Sequence, residues 1–324
     1  MSIAAYIKEI GRGKEGARPL TTSQAHDLFC QVLDGRVTDL EVGAFALAMR
    51  IKGETDDELA GFVQATHERC LALPVPEAPG VVVLPSYNGA RKLPNLTALL
   101  AAVLARAGVA VLVHGPVEDP ARVTTAQVFD ALGWSRCATS DDVSAAWQAG
   151  RPAFIDIDTL CPGLARLLAV RWTIGLRNPA HTVAKLLCPW PAGVSSVQVI
   201  NHTHPEYALS LTDYLERVGG TALLMRGTEG EPVADARRQP RFDVFLRGLR
   251  NADLSRAPEE GVLTQLPDLP ATHDATTTAL WIGQVLDGKR PLPAALAAQA
   301  ECLQAVLTRG RDTPGLMVNG APMA

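Results

Sequence analysis

The chain has 324 residues, of which 47% are hydrophobic and 20% are charged, and its formal net charge at pH 7 is −4. This length can bury two cores, and the composition is that of an ordinary globular protein. The net negative charge excludes a general attraction to nucleic acid, so any site for a polyanion must be a local basic patch.

The first 73 residues carry the signals of successive helices. Two capping boxes, Thr38-Asp39-Leu40-Glu41 and Thr55-Asp56-Asp57-Glu58, each follow a glycine that ends the preceding helix. In such a box the threonine and glutamate side chains satisfy amide donors at the start of a helix. We therefore predict a small helical domain over residues 1–73. Residues 158–189 join it, because strand signals are absent there.

A proline-rich segment, LPVPEAPG at residues 73–80, follows this domain and is a natural hinge. Beyond it, β-branched runs at 81–84 and 109–113 flank a helical pattern from about Asn95 to Ala107. Short apolar strands joined by a helix are typical of a parallel sheet that is buried on both faces. The loop after the first strand should lie at the sheet edge where such folds bind ligands.

The rest of the chain continues this alternation. Further strand signals stand near residues 153–157, 195–200 and 221–225, with helical patterns between and after them. We predict an α/β fold with a small N-terminal helical-bundle domain and a larger α/β domain that has a mainly parallel central sheet. The larger domain comprises residues 79–157 and 190–324.

The cysteines and the termini bear on the compartment. Six cysteines stand at positions 30, 70, 137, 161, 188 and 302, without a C-x-x-C pair. This usage favours small buried thiols in a reducing cytoplasm over a disulfide framework or a zinc site. The sequence also lacks an apolar signal region and an uncharged run long enough to span a membrane. We expect a cytoplasmic protein that has no membrane partner.

Four segments carry a family resemblance. They are NLTALLAAVLARAGVAVLVHG (95–115), VTTAQVFDALG (123–133), VRWTIGLRNPAHTVAKLLCP (170–189) and LLMRGTEGEP (223–232). Together with the order of the elements, they resemble the anthranilate phosphoribosyltransferase and pyrimidine nucleoside phosphorylase superfamily, which is glycosyltransferase family 3. The last two segments look most like its YbiB branch, whose members are described as nucleic-acid-binding homodimers. The resemblance implies a homodimer formed through the N-terminal helical domain.

The family's phosphate site is altered in this chain. The transferases have a Gly-rich G-T-G-G-D loop that wraps a pyrophosphate, whereas this chain has PSYNGARKLPNLT with the single glycine Gly89. The family's N-I-S-T segment is partly kept as Asn95-Leu96-Thr97, and its K-H-G-N-R segment is reduced to Val113-His114-Gly115-Pro116-Val117. The acidic pair that holds magnesium is replaced by Gly230-Glu231. Glu231 is therefore a candidate metal ligand, without a clear second one.

Two clusters of basic residues are candidates for binding phosphate. Arg91 and Lys92 replace glycines of the family loop, and they can hold phosphates of a polymer or of a small ligand, or form a solvated loop tip. Arg171 belongs to the second cluster, and spacings of four and eight from Arg177 put His181 and Lys185 on one helical face if the helix runs unbroken. The resemblance places that helix at the aromatic-acid or nucleobase site. A solvated helix face is the alternative.

The densest basic run is RRQPRFDVFLRGLR at residues 237–250, in which five arginines accompany a single acid, Asp243. Phe242 and Phe245 interleave with the arginines. Cationic grooves with stacking aromatic side chains bind single strands without sequence preference. Alternatively, both phenylalanines belong to the core, and the arginines form only a rim.

We expect a nucleic-acid-binding protein on a phosphoribosyltransferase-like scaffold, which binds single-stranded DNA or RNA with weak sequence specificity and requires no cofactor. The alternative is a transferase or phosphorylase that acts on a phosphoribosyl donor and an aromatic or nucleobase acceptor, for which Mg²⁺ is a possible cofactor. The candidate residues for binding phosphate or nucleic acid are Arg91, Lys92, Asn95, Thr97, His114, Arg171, Arg177, His181, Lys185, Arg226, Arg237, Arg238, Arg241, Arg247 and Arg250.

Overall fold

The computed structural model describes residues 2–13, 15–76, 79–191, 193–262, 266–312, 317–318 and 321–322. The chain divides into two compact units, one over residues 1–72 and 157–189 and the other over residues 73–156 and 190–324. We call them the helical unit and the α/β unit. The predicted fold class is confirmed, because a helical bundle is combined with a mostly parallel sheet. The predicted hinge at 73–80 stays a prediction, since positions 77 and 78 lie outside the described residues.

The elements are numbered in chain order. The helices are α1 (Ala4–Ile10), α2 (Thr22–Leu33), α3 (Asp39–Lys52), α4 (Asp56–His67), α5 (Thr97–Arg106), α6 (Thr125–Ala131), α7 (Ser140–Gln148), α8 (Ile157–Leu160), α9 (Pro162–Ile174), α10 (Ala180–Leu186), α11 (Glu206–Val218), α12 (Ala275–Leu286) and α13 (Ala294–Asp312). The strands are β1 (Val81–Pro85), β2 (Ala110–Gly115), β3 (Ala153–Asp156), β4 (Ser196–His202), β5 (Ala222–Arg226), β6 (Phe242–Leu246), β7 (Leu249–Arg250), β8 (Met317–Val318) and β9 (Ala321–Pro322).

The helical unit contains α1 to α4 and α8 to α10. The two predicted capping boxes are present, and they start α3 at Thr38 and α4 at Thr55. The core of the unit is aromatic: the rings of Phe29 and Phe62 stack with centroids 4.6 Å apart, and Phe45 meets both edge-on. These three side chains are fully buried. None of the helices in the described part of the chain is long and apolar enough to cross a membrane.

Helices α2 and α4 approach each other closely at Gly61. A Cβ atom at this position would lie 2.4 Å from the carbonyl oxygen of Thr22, so no larger residue fits without moving the helices. Close packing of this kind holds side chains on the two helices at fixed separations.

The α/β unit is built on a seven-stranded sheet in the order β3-β2-β1-β4-β5-β6-β7. The first five strands in this order pair in parallel, and β6 and β7 are antiparallel. All five residues of β1 are buried, as expected for a β-branched run at the centre of a covered sheet. Because parallel strands end at the same edge, the loops after β1, β2 and β5 come together there.

Candidate functional site

The loop after β1 is fastened to its neighbours by backbone hydrogen bonds. Ser86 N donates to the carbonyl oxygen of His114 over 2.8 Å, and Ala90 exchanges two bonds with Val123, of 2.8 and 2.9 Å. Gly89 has a φ of +71°, and a Cβ atom there would lie 2.9 Å from Val123 O. The single glycine of the altered loop therefore stands where the backbone requires one.

This loop forms an anion-binding cradle, and the carboxylate of Glu231 lies in it. Glu231 Oε1 accepts hydrogen bonds from the backbone N–H groups of Asn88 (2.8 Å) and Gly89 (2.7 Å). Glu231 Oε2 accepts from Ser86 Oγ and, over 3.2 Å, from Thr125 Oγ1. The side chain is buried. The carboxylate thus supplies the negative charge and the acceptor atoms that such a set of donors requires.

The carboxylate of Glu229 accepts hydrogen bonds from the next part of the loop. Its Oε2 accepts from the backbone N–H groups of Arg91, Lys92 and Leu93 over 2.8, 2.9 and 3.1 Å. Partial burial raises the pKa of Glu229, but the three amides and the nearby charge of Arg122 outweigh it and hold the pKa below its ordinary value. Glu229 has φ +52°, a left-handed conformation that costs a non-glycine residue about 1–2 kcal/mol. The three hydrogen bonds offset that strain.

The predicted residues Asn95 and Thr97 line the same cradle. Asn95 Nδ2 donates to Thr125 Oγ1 over 2.9 Å, and Asn95 Oδ1 accepts from the backbone N–H of Thr97 over 3.2 Å. The side chains of Asn95 and Thr97 each approach Glu231 Oε2 at 3.4 Å. His114 is buried behind the loop, where its Nδ1 lies 2.7 Å from Tyr87 Oη. Its ring therefore supports the loop through Tyr87.

Three cations surround the cradle. The side chains of Arg91 and Lys92 are exposed, and no carboxylate pairs with either of them in the part of the chain that the structure describes. Arg122 donates to the carbonyl oxygen of Gly89 over 3.3 Å. The rim is therefore positively charged, whereas the cradle itself is filled by two carboxylates.

The family resemblance implies a magnesium ion, but the hydrogen-bond donors around Glu231 are unsuitable for holding one. Both oxygens of Glu231 accept hydrogen bonds from N–H and O–H groups, and these groups direct positive charge at the carboxylate. Mg²⁺ requires octahedral oxygen ligands and keeps several water molecules. The donors around Glu231 already occupy lone pairs of both carboxylate oxygens that such an ion would need.

Three of the five arginines in the basic run at residues 237–250 pair with carboxylates. Arg237 forms a double hydrogen bond to Asp235, of 2.9 and 2.7 Å, and Arg241 and Arg250 both pair with Asp243. Phe242 and Phe245 are buried in β6, at 0% and 1% exposure. They cannot stack on bases. Both phenylalanines therefore belong to the core, and the arginines form only a rim.

Arg238 and Arg247 are the other arginines of this run, and Arg226 precedes it in the chain. Arg238 Nη2 donates to the carbonyl oxygen of Gly261. Arg247 has φ +49°, and its N–H donates to Thr221 Oγ1 over 3.0 Å. Arg226 is exposed at the end of β5. Their part in phosphate binding stays a prediction.

The second predicted cluster lies in the helical unit. Arg177 precedes α10, which begins at Ala180, so Arg177, His181 and Lys185 do not share one unbroken helix. Burial, together with the charge of Arg177, lowers the pKa of His181 to about 3. His181 is therefore neutral near pH 7 and adds no charge to the cluster. The guanidinium of Arg171 lies over the ring of Trp172, 4.0 Å from its centroid.

The sequence did not indicate that Glu229 accepts hydrogen bonds from the loop after β1, and it suggested Glu231 as a candidate metal ligand. The partners of Glu231 lie 106 to 145 residues away along the chain, and no spacing rule connects positions so far apart. The signal that was available is the pair of acids in Glu229-Gly230-Glu231, which follows a parallel strand at the ligand edge.

Known proteins resemble this chain in sequence and in structure. Residues 4–70 match the family described as the helical bundle domain of the glycosyl transferase family. The chain is 40% identical, over 93% of both chains, to the uncharacterized protein YbiB of Escherichia coli. It is 29% identical to an anthranilate phosphoribosyltransferase of Symbiobacterium thermophilum, over 79% of this chain and 76% of that one. The crystal structure of anthranilate phosphoribosyltransferase from Thermus thermophilus superposes with a TM-score of 0.71, at 22% identity, over 94% of this chain and 93% of that one.

Proposed function

Because the chain belongs to glycosyltransferase family 3, in the YbiB branch of the anthranilate phosphoribosyltransferase-like proteins, we propose that it binds a phosphoribosyl donor at the loop after β1 and transfers the phosphoribosyl group to an aromatic or nucleobase acceptor. One observation carries this proposal. Five backbone N–H groups of that loop, from Asn88 to Leu93, converge on two carboxylates. A pyrophosphate presents the same kind of acceptor oxygens.

The donor would enter by replacing the carboxylates of Glu229 and Glu231. Transfer of a phosphoribosyl group depends on positioning and on stabilising the charge of the leaving pyrophosphate. Arg91, Lys92 and Arg122 stand at the rim, where their charges would offset that of the phosphates. Glu231 is unsuited to bind magnesium. We therefore expect the charges of Arg91, Lys92 and Arg122 to make binding of the phosphoribosyl donor independent of added Mg²⁺.

Calorimetric titration with 5-phosphoribosyl 1-pyrophosphate, with and without Mg²⁺, tests donor binding. We expect binding that is equal in both conditions. The double variant Arg91→Ala/Lys92→Ala should bind about tenfold or more weakly, since losing even one charge-assisted contact costs about 1.5 kcal/mol or more. Lys289→Ala is the matched control, because Lys289 is an exposed lysine that pairs with Asp287.

Transfer is tested by following donor consumption with anthranilate and with nucleobases as acceptors. Consumption of the donor only when an acceptor is present would support the proposal. No donor binding at millimolar concentration, in the wild type or in Glu231→Ala, would refute it.

A second candidate function, binding of single-stranded nucleic acid, is favoured by the rim. The side chains of Arg91 and Lys92 are exposed and pair with no carboxylate among the described residues, and the cradle beside them already holds its own anions. A polyanion that lies across the rim would contact these cations without displacing Glu231. Such binding is electrostatic and weakens steeply with salt.

Fluorescence anisotropy of a labelled single-stranded oligonucleotide, at two salt concentrations, tests this second candidate. Salt-sensitive binding that Arg91→Ala/Lys92→Ala weakens and Arg237→Ala/Arg241→Ala leaves unchanged would support the rim. Competition by the phosphoribosyl donor would place both ligands at the same loop. Affinity that is the same at low and high salt would contradict nucleic-acid binding.

A further inference from the structure

Three side chains with metal-binding atoms meet on the helical unit. His26 and Cys30 stand four residues apart on α2, and Glu68 follows the last residue of α4. One ligand atom of each lies within 4.8 Å of the other two. Cys30 is buried, His26 is half-buried and Glu68 is exposed. A metal held here would face solvent on one side.

The packing of α2 against α4 holds this arrangement in place. Phe29, next to Cys30, stacks on Phe62 of α4 with centroids 4.6 Å apart. Gly61 lets the two backbones approach at the N-terminal end of α2. A spacing of four residues places His26 and Cys30 on the same side of their helix. His26 and Cys30 are therefore positioned by the packing of the core.

The observed separations are close to those of a tetrahedral zinc site. Zn–N and Zn–S bonds of about 2.05 and 2.3 Å at the tetrahedral angle put the nitrogen and sulfur about 3.6 Å apart. Here His26 Nε2 and Cys30 Sγ are 3.6 Å apart. The corresponding N···O separation is about 3.4 Å, and His26 Nε2 lies 3.0 and 2.9 Å from the two oxygens of Glu68. Cys30 Sγ also lies 3.8 Å from His26 Nδ1, so the sulfur stands beside the ring. Metal binding therefore requires the imidazole to rotate until Nε2 points between Sγ and the exposed Glu68 carboxylate.

We propose that His26, Cys30 and Glu68 bind a zinc ion, with water in the fourth position. Thiolate and imidazole ligands select Zn²⁺ over Mg²⁺ and Ca²⁺, which prefer oxygen. On binding, the Cys30 thiol gives its proton to solvent, and the proton that His26 Nε2 donates to Glu68 moves through solvent to Nδ1, which frees the Nε2 lone pair for the metal. Arg69 is held by Asp34 through Nε and Nη2, but its guanidinium also hydrogen-bonds with the Cys30 thiol, and its Nη1 lies 3.6 Å from Glu68 Oε2. Metal binding would replace these two contacts of Arg69.

Cys70 and Cys161 form a second group of thiols in the same unit, and this group would compete with Cys30 for a metal that binds thiols. Cys70 Sγ and Cys161 Sγ both approach the carbonyl oxygen of Thr66, at 3.4 and 4.0 Å. No imidazole or carboxylate is grouped with them among the described residues. Any experiment must therefore distinguish Cys30 from Cys70.

The full-length protein, freed of metal with a chelator, is titrated with Co²⁺ and then with Zn²⁺. Cobalt bound to a thiolate gives a sulfur-to-metal charge-transfer absorption band. We expect this band to saturate at about one equivalent of Co²⁺ and to disappear on adding Zn²⁺. Cys30→Ala should abolish it. Cys70→Ala, and His67→Gln beside Glu68, should retain it.

Two results would overturn the proposal. One is the absence of the band in the wild type, and the other is a band that survives Cys30→Ala and is lost in Cys70→Ala. Circular dichroism checks the folding of each variant. If Cys30→Ala does not fold, His26→Gln decides, because unchanged cobalt affinity in that variant would also refute the site.

Discussion

Glu231 accepts a hydrogen bond of 2.7 Å from the backbone N–H of Gly89, although 142 residues separate them. The bond ties the segment after β5 to the loop after β1 and completes a buried set of polar contacts. Backbone donors buried without an acceptor are costly. The carboxylate therefore contributes to stability in the same place where a phosphate ligand would contribute to binding.

Replacing Glu231 with alanine should destabilise the protein and make it responsive to phosphate. The substitution leaves the N–H groups of Asn88 and Gly89 without their acceptor, and we expect a loss of about 1–3 kcal/mol in the free energy of unfolding. Inorganic phosphate that enters the cradle binds only the folded state and should restore part of this loss. Urea denaturation with and without phosphate measures both effects.

The matched control is Glu231→Gln, which keeps one acceptor oxygen in the same volume. Neither this variant nor the wild type should gain stability from phosphate. Equal stability of Glu231→Ala and the wild type would contradict the role assigned to the carboxylate.

Glu58 is the acid whose loss should be most costly in the helical unit. It is fully buried, pairs with Lys52 over 2.6 Å and accepts from the backbone N–H of Leu20 over 3.0 Å. Breaking a buried pair by removing one partner costs about 3–5 kcal/mol. We expect a loss of this size in Glu58→Ala. Asp287→Ala, which breaks an exposed pair with Lys289, should cost about 0–1 kcal/mol. Comparable losses in both variants would show that burial is not the cause.

His181 should make stability fall as the medium becomes acidic. Burial lowers its pKa in the folded protein to about 3, whereas the ordinary value is about 6.5. Between these values the unfolded chain binds more protons, so stability decreases on lowering the pH, by at most about 1.4 kcal/mol per pH unit. Urea denaturation at pH 7 and pH 5 should therefore show a larger decrease for the wild type than for His181→Gln. Identical decreases would mean that burial does not lower the pKa of His181 in the folded protein.

The predicted homodimer can be tested on α3. Leu40, Leu47 and Ile51 are 83%, 47% and 62% exposed, and their spacing of seven and four puts them on one side of the helix. We expect Leu47→Asp/Ile51→Asp to halve the mass measured by light scattering. Leu209→Asp, which changes an exposed leucine of α11, should leave the mass unchanged. A monomeric wild type would contradict the dimer.

The fold class could be predicted because its determinants are local. The Thr38 and Thr55 boxes mark helix starts within four residues, and β-branched runs such as 81–84 mark strands that are buried on both faces. The long-range contacts of the site left no such signal. Neither Glu231 reaching the loop after β1 nor Glu68 reaching His26 and Cys30 follows from any spacing in the sequence.

Charge in the sequence was also a poor guide to charge on the surface. The run of five arginines at 237–250 includes Arg241 and Arg250, which share Asp243, and the two phenylalanines between them are in the core. His181 stands in a basic cluster yet is neutral near pH 7, because burial lowers its pKa to about 3. Pairing and desolvation decide these cases, and both depend on the folded structure.

The attachment of Glu231 to the same chain has a consequence for selectivity. An outside anion must compete with a carboxylate whose effective local concentration does not fall on dilution. A free phosphate that contacts only the cradle gains little by the exchange. A ligand with a second point of attachment, such as a sugar, a base or a further phosphate on the rim, brings additional binding energy to the competition. We therefore expect the loop after β1 to discriminate against simple anions and to admit extended ones.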